Sequence, residues 1–223
     1  MYQQIDFKEL KEIEKQIAKG IDLKDNFPEV KVVAAFCVTF REKKAICAAV
    51  VLDNNSLEII EKREVTTEEI LPYSPGTVAF REGPAILACL KELTNKPDLL
   101  VIEGFGALHP FRVGTASYVG VLSNKPSIGV SDTLMLGGLE EDKIMLNNVL
   151  RGFALRTKEF ANPVYVTPAH RVSPESAVEF VKKWINPEVK MPYPLHMARK
   201  ALLKVKNDLN QNIKGKVSQG IVG

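Results

Sequence analysis

The residues with the clearest capacity for chemistry lie in one stretch, Asp98 to Asp132: DLLVIEGFGALHPFRVGTASYVGVLSNKPSIGVSD. An apolar run, Leu99 to Ile102, has the length of a buried strand and ends on the carboxylate of Glu103. Gly104 and Gly106 follow at once, then His109-Pro110. A second apolar run, Ser127 to Val130, is followed two residues later by Asp132. In an open α/β sheet, ligands gather at the carboxyl ends of the strands. Acids just past two strand ends, beside glycines that let another backbone come close, mark where chemistry is expected.

A chain of 223 residues can bury a sizeable core and is expected to form a single domain over residues 1–223. Its formal charge of +3 and pI near 8.6 are mildly basic. That balance permits a nucleic-acid partner without arguing for one, because domains that bind nucleic acid through charge alone usually lie above about pI 9. The first twenty residues are charged and read as an amphipathic helix rather than a signal peptide. No apolar run approaches the ~20 residues that span a bilayer. Cys37, Cys47 and Cys89 are scattered and odd in number, with no C-x-x-C pair, so neither a disulfide framework nor a zinc knuckle is suggested. A reducing cytoplasmic compartment is the expectation, with Cys47 and Cys89 in the core.

The elements that must position the two acids follow from periodicity and turn signals. Asp6 to Gly20 reads as a helix, with Asp6 and Glu9 forming a capping box. Lys31 to Phe40, Ala45 to Leu52 and Leu57 to Val65 read as three strands joined by short turns, an antiparallel meander. Pro72-Tyr73-Ser74-Pro75-Gly76 is a stiff loop able to hold a tyrosine outward. Phe80 to Leu93 is helical, Leu99 to Glu103 a strand, Thr115 to Leu122 a short helix and Ser127 to Val130 a strand. Strand, helix, strand implies parallel pairing with a right-handed crossover. Gly137 to Asp142 reads as a surface excursion, and Val149 to Arg156 and Val164 to Val166 as short strands. Ser173-Pro174 starts a helix, and Leu195 to about Lys214 forms a basic amphipathic one. Lys182-Lys183 and Arg199 to Lys216 are expected on solvated helix faces. The outline is α/β: a ribonuclease H-like mixed sheet, antiparallel meander first and parallel strands after, flanked by helices.

Four segments, PYSPGTVAFREGPAI, VIEGFGALHPFRVGTASYVGV, KPSIGV and VTPAHRVSPESAVEFV, together resemble the endonuclease V family in order and spacing, from about Asp6 to Leu209. The resemblance implies a metal-dependent endonuclease, using Mg²⁺ or Mn²⁺, that nicks nucleic acid near inosine in DNA or RNA repair. It implies that Glu82 is the glutamate of the family's F-R-E motif and His109 the histidine of its H-P motif. Pro72, Tyr73, Ser74 and Pro75 match its strand-separating wedge. Gly104 and Gly106 fit a loop approached by nucleic-acid backbone or a flipped base. Arg112 preserves one of two arginines, the other being Phe111, and Arg81 and His170 are further candidates to face phosphate. The expected partner is inosine-containing or distorted DNA or RNA.

Other positions depart from the family pattern. Cys37 stands where the family has a first-strand aspartate, Glu103 where it has the aspartate of D-G-x-G, and Asp132 where it has a lysine. Near the C-terminus His196 replaces an arginine, and Arg199 stands where the family has an acid or histidine. Hard divalent ions want oxygen ligands, whereas a cysteine offers a soft sulfur that is protonated below its free pKa of about 8.5. Glu103 keeps the charge but moves it by roughly 1.5 Å, and a misplacement of about 1 Å can lower a rate on the order of a hundredfold. Asp132 removes a cation able to stabilise developing charge. The main expectation is a nucleic-acid-binding protein with weak or lost hydrolysis. The alternatives are an active enzyme whose metal sits in a rearranged carboxylate set, Glu82, Glu103 and Asp132, and an interaction module that keeps only the fold.

Overall fold

The computed structural model describes residues 7–108 and 113–219. Asp6, half of the expected capping box, lies outside them, as do His109, Phe111 and Arg112. The three-strand meander is present as β1 (Val32–Arg41), β2 (Lys44–Asp53) and β3 (Ile59–Glu68). Its first turn is the pair Glu42-Lys43, whose φ values of 49° and 61° are those of a type I′ hairpin turn. β1 also pairs in parallel with β4 (Leu99–Glu103), and β4 in parallel with β5 (Ser127–Ser131). The crossover between the last two is α3 (Thr115–Ser123).

Beyond β5 the sheet continues antiparallel through β9 (Val164–His170), β8 (Val149–Leu155), β7 (Lys143–Leu146) and β6 (Gly138–Glu140). Among the described residues the order is β3-β2-β1-β4-β5-β9-β8-β7-β6. The segment expected as a surface excursion, Gly137 to Asp142, therefore holds an edge strand; its three strand residues are all exposed, so no apolar alternation betrays it. β9 runs four residues past the expected Val166 because a register shift opposite Ser127 and Ile128 admits Pro168, which has no N–H for the ladder.

Each face of the sheet carries its own apolar layer. Against α4 (Pro174–Lys183) and α5 (Tyr193–Gln219) lie Val33, Ala35 and Cys37 of β1, Leu99 and Val101 of β4, and Ile128 and Val130 of β5, with Trp184, Leu195 and Ala198 from the helical side. Against α2 (Val78–Glu92) and α3 lie Ala34, Phe36, Leu100 and Ile102, with Ile86, Leu90 and Val119. The helix α1 (Phe7–Gly20) adds a smaller cluster through Ile17, Ala79 and Val113. Full burial of each large aliphatic stabilises by roughly 1.5–3 kcal/mol, so both layers hold the central strands rigidly. The two-residue period of a strand then fixes direction. Leu99, Val101 and Glu103 form one row, as do Val33, Ala35 and Cys37, and Ile128, Val130 and Asp132. All three rows end on the α5 side.

Candidate active site

The ends of β4 and β5 open into a cleft of about 230 Å³ lined by Tyr73, Glu82, Glu103, Gly104, Thr115 and Asp132, among others. Glu82 arrives from α2, Glu103 from the last residue of β4, and Asp132 from just past β5. Thr115, at the start of α3, donates its hydroxyl to Glu82 Oε2 at 2.9 Å. Burial pushes the Glu82 carboxyl up to about 7; the Thr115 hydrogen bond opposes this, the charge of Glu103 reinforces it, and that of Arg81 opposes it. Gly104 has φ of 138°, a conformation that favours glycine, and it lines the cleft floor. Tyr73 is 68% exposed on the rim, in the loop before the 3-10 turn Pro75–Thr77. That loop is stiffened by its prolines and by the Ser74 carbonyl, which accepts from Thr77 N at 3.0 Å and from the Thr77 hydroxyl at 3.2 Å.

Arg199 of α5, expected on a solvated face, instead enters the site. Its Nη2 donates to Glu103 Oε1 at 2.6 Å and to Asp132 Oδ2 at 3.3 Å. Burial disfavours the guanidinium charge, but the hydrogen bond and charge of Glu103 outweigh it and hold the group firmly protonated. Cys37 sits behind Glu103, buried to 1% exposure, with its Sγ 3.8 Å from the carbonyl oxygen of Leu195. Burial, and then the neighbouring Glu103 charge, push its thiol well above the usual range, so it stays protonated and neutral.

These donors do not suit a hard divalent ion. The first-strand position offers a neutral buried sulfur, and two of the three carboxylates already receive hydrogen bonds from a guanidinium. Among the described residues no group of three or more His, Cys, Asp or Glu side chains is placed to hold a metal ion; Glu82, Glu103 and Asp132 line one cleft.

Three expected contacts with nucleic acid are used elsewhere. The Arg81 guanidinium bonds Glu69, with Nε at 2.7 Å and Nη2 at 2.6 Å from Oε1, and lies 3.4 Å over the Phe40 ring, so it secures α2 to the meander. Gly106 faces the sheet: its N–H donates to Thr167 Oγ1 at 2.8 Å, and a Cβ there would come within 2.1 Å of the Pro168 carbonyl oxygen. His170 is 6% exposed and accepts the Asp22 N–H at Nδ1, 3.4 Å away, which pins the segment after α1 instead of presenting the ring to phosphate. His109 and Arg112 lie outside the described residues. Sequence reasoning missed Arg199 and Thr115. The resemblance carried a signal for Arg199: it implies a lysine at the place of Asp132 and an acid or histidine at that of Arg199, and these two residues form an ion pair here.

A mixed sheet with a meander, parallel strands and carboxylates at adjacent strand ends defines a ribonuclease H-like protein. Its family follows from wider comparison. The Endonuclease V family signature matches residues 15–200. Endonuclease V of Dictyoglomus thermophilum is 33% identical over 219 residues, 95% of this chain and 94% of that protein. Its counterpart from Azotobacter vinelandii is 35% identical over 196 residues, 83% and 88% of the two chains. The crystal structure of Endonuclease V from Streptomyces avermitilis superposes with a TM-score of 0.81 at 28% identity, covering 92% of this chain and 95% of that one. A Ciona intestinalis Endonuclease V variant, in complex with a 23mer DNA containing an inosine followed by a ribo-adenosine, gives 0.80 at 25% identity, covering 92% and 100%. The chain belongs to the Endonuclease V family.

Proposed function

We propose that this member of the family binds inosine-containing or distorted DNA or RNA in the cytoplasm while its phosphodiester hydrolysis is weak or lost. The observation that carries the reading is Cys37, a buried neutral thiol at the position where the family has an aspartate. A thiol shielded from solvent and hydrogen-bonded to a backbone carbonyl supplies neither charge nor a hard ligand. Membership of a family that includes a protein solved with inosine-containing DNA supports the partner. The exposed Tyr73 supports a groove still shaped for bases, since a ring on the rim of a cleft offers a stacking surface to an unpaired base. In this reading Tyr73 stacks, Gly104 admits the strand backbone, and the Thr115–Glu82 pair forms the polar wall against which a displaced base rests.

The test pairs cleavage with binding. Inosine-bearing DNA and RNA strands, incubated with the chain in magnesium and in manganese, are expected to stay intact, while fluorescence anisotropy reports binding that weakens steeply with salt as phosphate contacts require. Efficient nicking refutes the loss of hydrolysis. Absence of salt-dependent binding refutes the partner. Rescue of nicking by Cys37→Asp combined with Asp132→Lys supports an intact groove with only the chemistry removed.

A further inference from the structure

We infer that Arg199 is the resident cation of this site: it takes the charge-balancing place of a divalent ion, keeps such ions out, and presents its remaining donors to a phosphodiester. A guanidinium carries five N–H donors in a planar fork and cannot be neutralised near physiological pH. Here one nitrogen, Nη2, serves both carboxylates, at 2.6 Å and 3.3 Å. Nη1 and Nε have no partner among the described residues. Arg199 also lines a second cleft of about 210 Å³, with Val38, Thr39, Glu103, Leu202, Leu203 and Lys206. Glu103 lines this cleft and the one holding Tyr73 and Glu82, so the Glu103–Arg199 pair is the wall between them.

That wall has a fixed position. Glu103 ends a strand whose other residues are fully buried, and Leu195 and Ala198 anchor the same turns of α5 with no exposed surface. A metal ion drawing on Glu103 and Asp132 must displace a cation held by two charge-assisted hydrogen bonds, and it finds no third charge at Cys37. A strand crossing the wall meets the unpaired edge of the Arg199 fork, a geometry suited to two phosphate oxygens, with Lys206 as a second cation in the same cleft. The pairing also accounts for the reversed signs at Asp132 and Arg199: the cation of the site has moved from the end of β5 to α5. The exclusion of metal stands on this geometry alone, whereas the phosphate contact rests on the function proposed above.

The experiment measures Mn²⁺ binding by the loss of its free paramagnetic resonance signal, with no nucleic acid present. The wild-type chain is expected to show no saturable site below about millimolar Mn²⁺, while Arg199→Ala, which frees both carboxylates, gains a site at least about tenfold tighter. Arg199→Lys keeps a positive charge and is expected to exclude the ion as the wild type does; it serves as the folded control, and a thermal melt verifies each variant. Equal Mn²⁺ affinity for wild type and Arg199→Ala, whether both bind or neither does, overturns the inference. In a second arm, wild-type binding to an inosine-bearing strand is expected to be unchanged by a chelator, and Arg199→Lys to weaken it roughly fivefold through loss of the fork. Binding that collapses on chelation overturns the inference as well. A wild type that binds no strand under any condition refutes the proposed function instead, and the manganese arm then decides the role of Arg199 by itself.

Discussion

Replacing Glu82 by glutamine should abolish a pH dependence of stability that the folded chain otherwise carries. Burial raises the Glu82 carboxyl from 4.5 to about 7. In the unfolded chain the same group ionises near its ordinary value. Below pH 4.5 both states hold the proton, and the contribution to stability is fully present; as pH rises through about 7 the folded state is forced to ionise within the cleft wall, and the contribution is lost. The gap between 4.5 and about 7 corresponds to about 3 kcal/mol as a ceiling, since the group lines a cleft and solvent screens part of its charge. Glutamine keeps an oxygen to accept the Thr115 hydroxyl and carries no charge at any pH. Urea unfolding of both proteins from pH 4.5 to 9 is the assay. The two midpoints should coincide at the acid end, and Glu82→Gln should exceed wild type by up to about 3 kcal/mol at the alkaline end, or roughly 6–12 °C in Tm for a domain of this size. Other titrating groups cancel in the difference between the two curves. Curves that stay parallel across the whole range refute the burial argument.

Tyr73→Ala should weaken binding of an inosine-bearing strand by an amount equivalent to about 1–3 kcal/mol, read by anisotropy, with an unchanged melting temperature because the ring is 68% exposed. Gly106→Ala should lower the unfolding free energy measured by urea denaturation by about 1–3 kcal/mol or more, because its Cβ meets the Pro168 carbonyl oxygen at 2.1 Å and both backbones must part. Cys37, Cys47 and Cys89 are all buried, so a thiol-specific reagent should label none of them in the native protein and all three after denaturation, as counted by mass spectrometry.

The sheet was legible wherever a strand buries one face or both. Leu99 to Ile102 and Ser127 to Val130 announced themselves as short apolar runs, and their parallel pairing followed from the helix between them. The exposed strand Gly138–Glu140 has no inward face, so nothing in its composition distinguishes it from a loop. The acids at the strand ends could be placed by period alone, and Glu103 and Asp132 do line one cleft. What surrounds them could not. Arg199 lies 67 residues from Asp132 and 96 from Glu103, on a helix whose basic residues look uniformly solvated until packing turns one of them inward. Gly106 and His170 make internal contacts that their positions in the sequence do not reveal. A glycine after a strand and a histidine before a helix matched positions suited to a ligand, yet the first is required by the close approach of Pro168 and the second by the loop it anchors. Such uses depend on contacts with β9 and with the residues after α1, which local spacing does not encode.

On the function proposed above, the acids of this cleft serve an internal cation and not catalysis with a divalent one. A nicking time course on an inosine-bearing strand in magnesium, with Endonuclease V of Dictyoglomus thermophilum assayed alongside, tests it most directly. Bound but uncut strand is expected with the present chain over a period in which the relative completes its reaction. Cleavage by both proteins at comparable rates would contradict it.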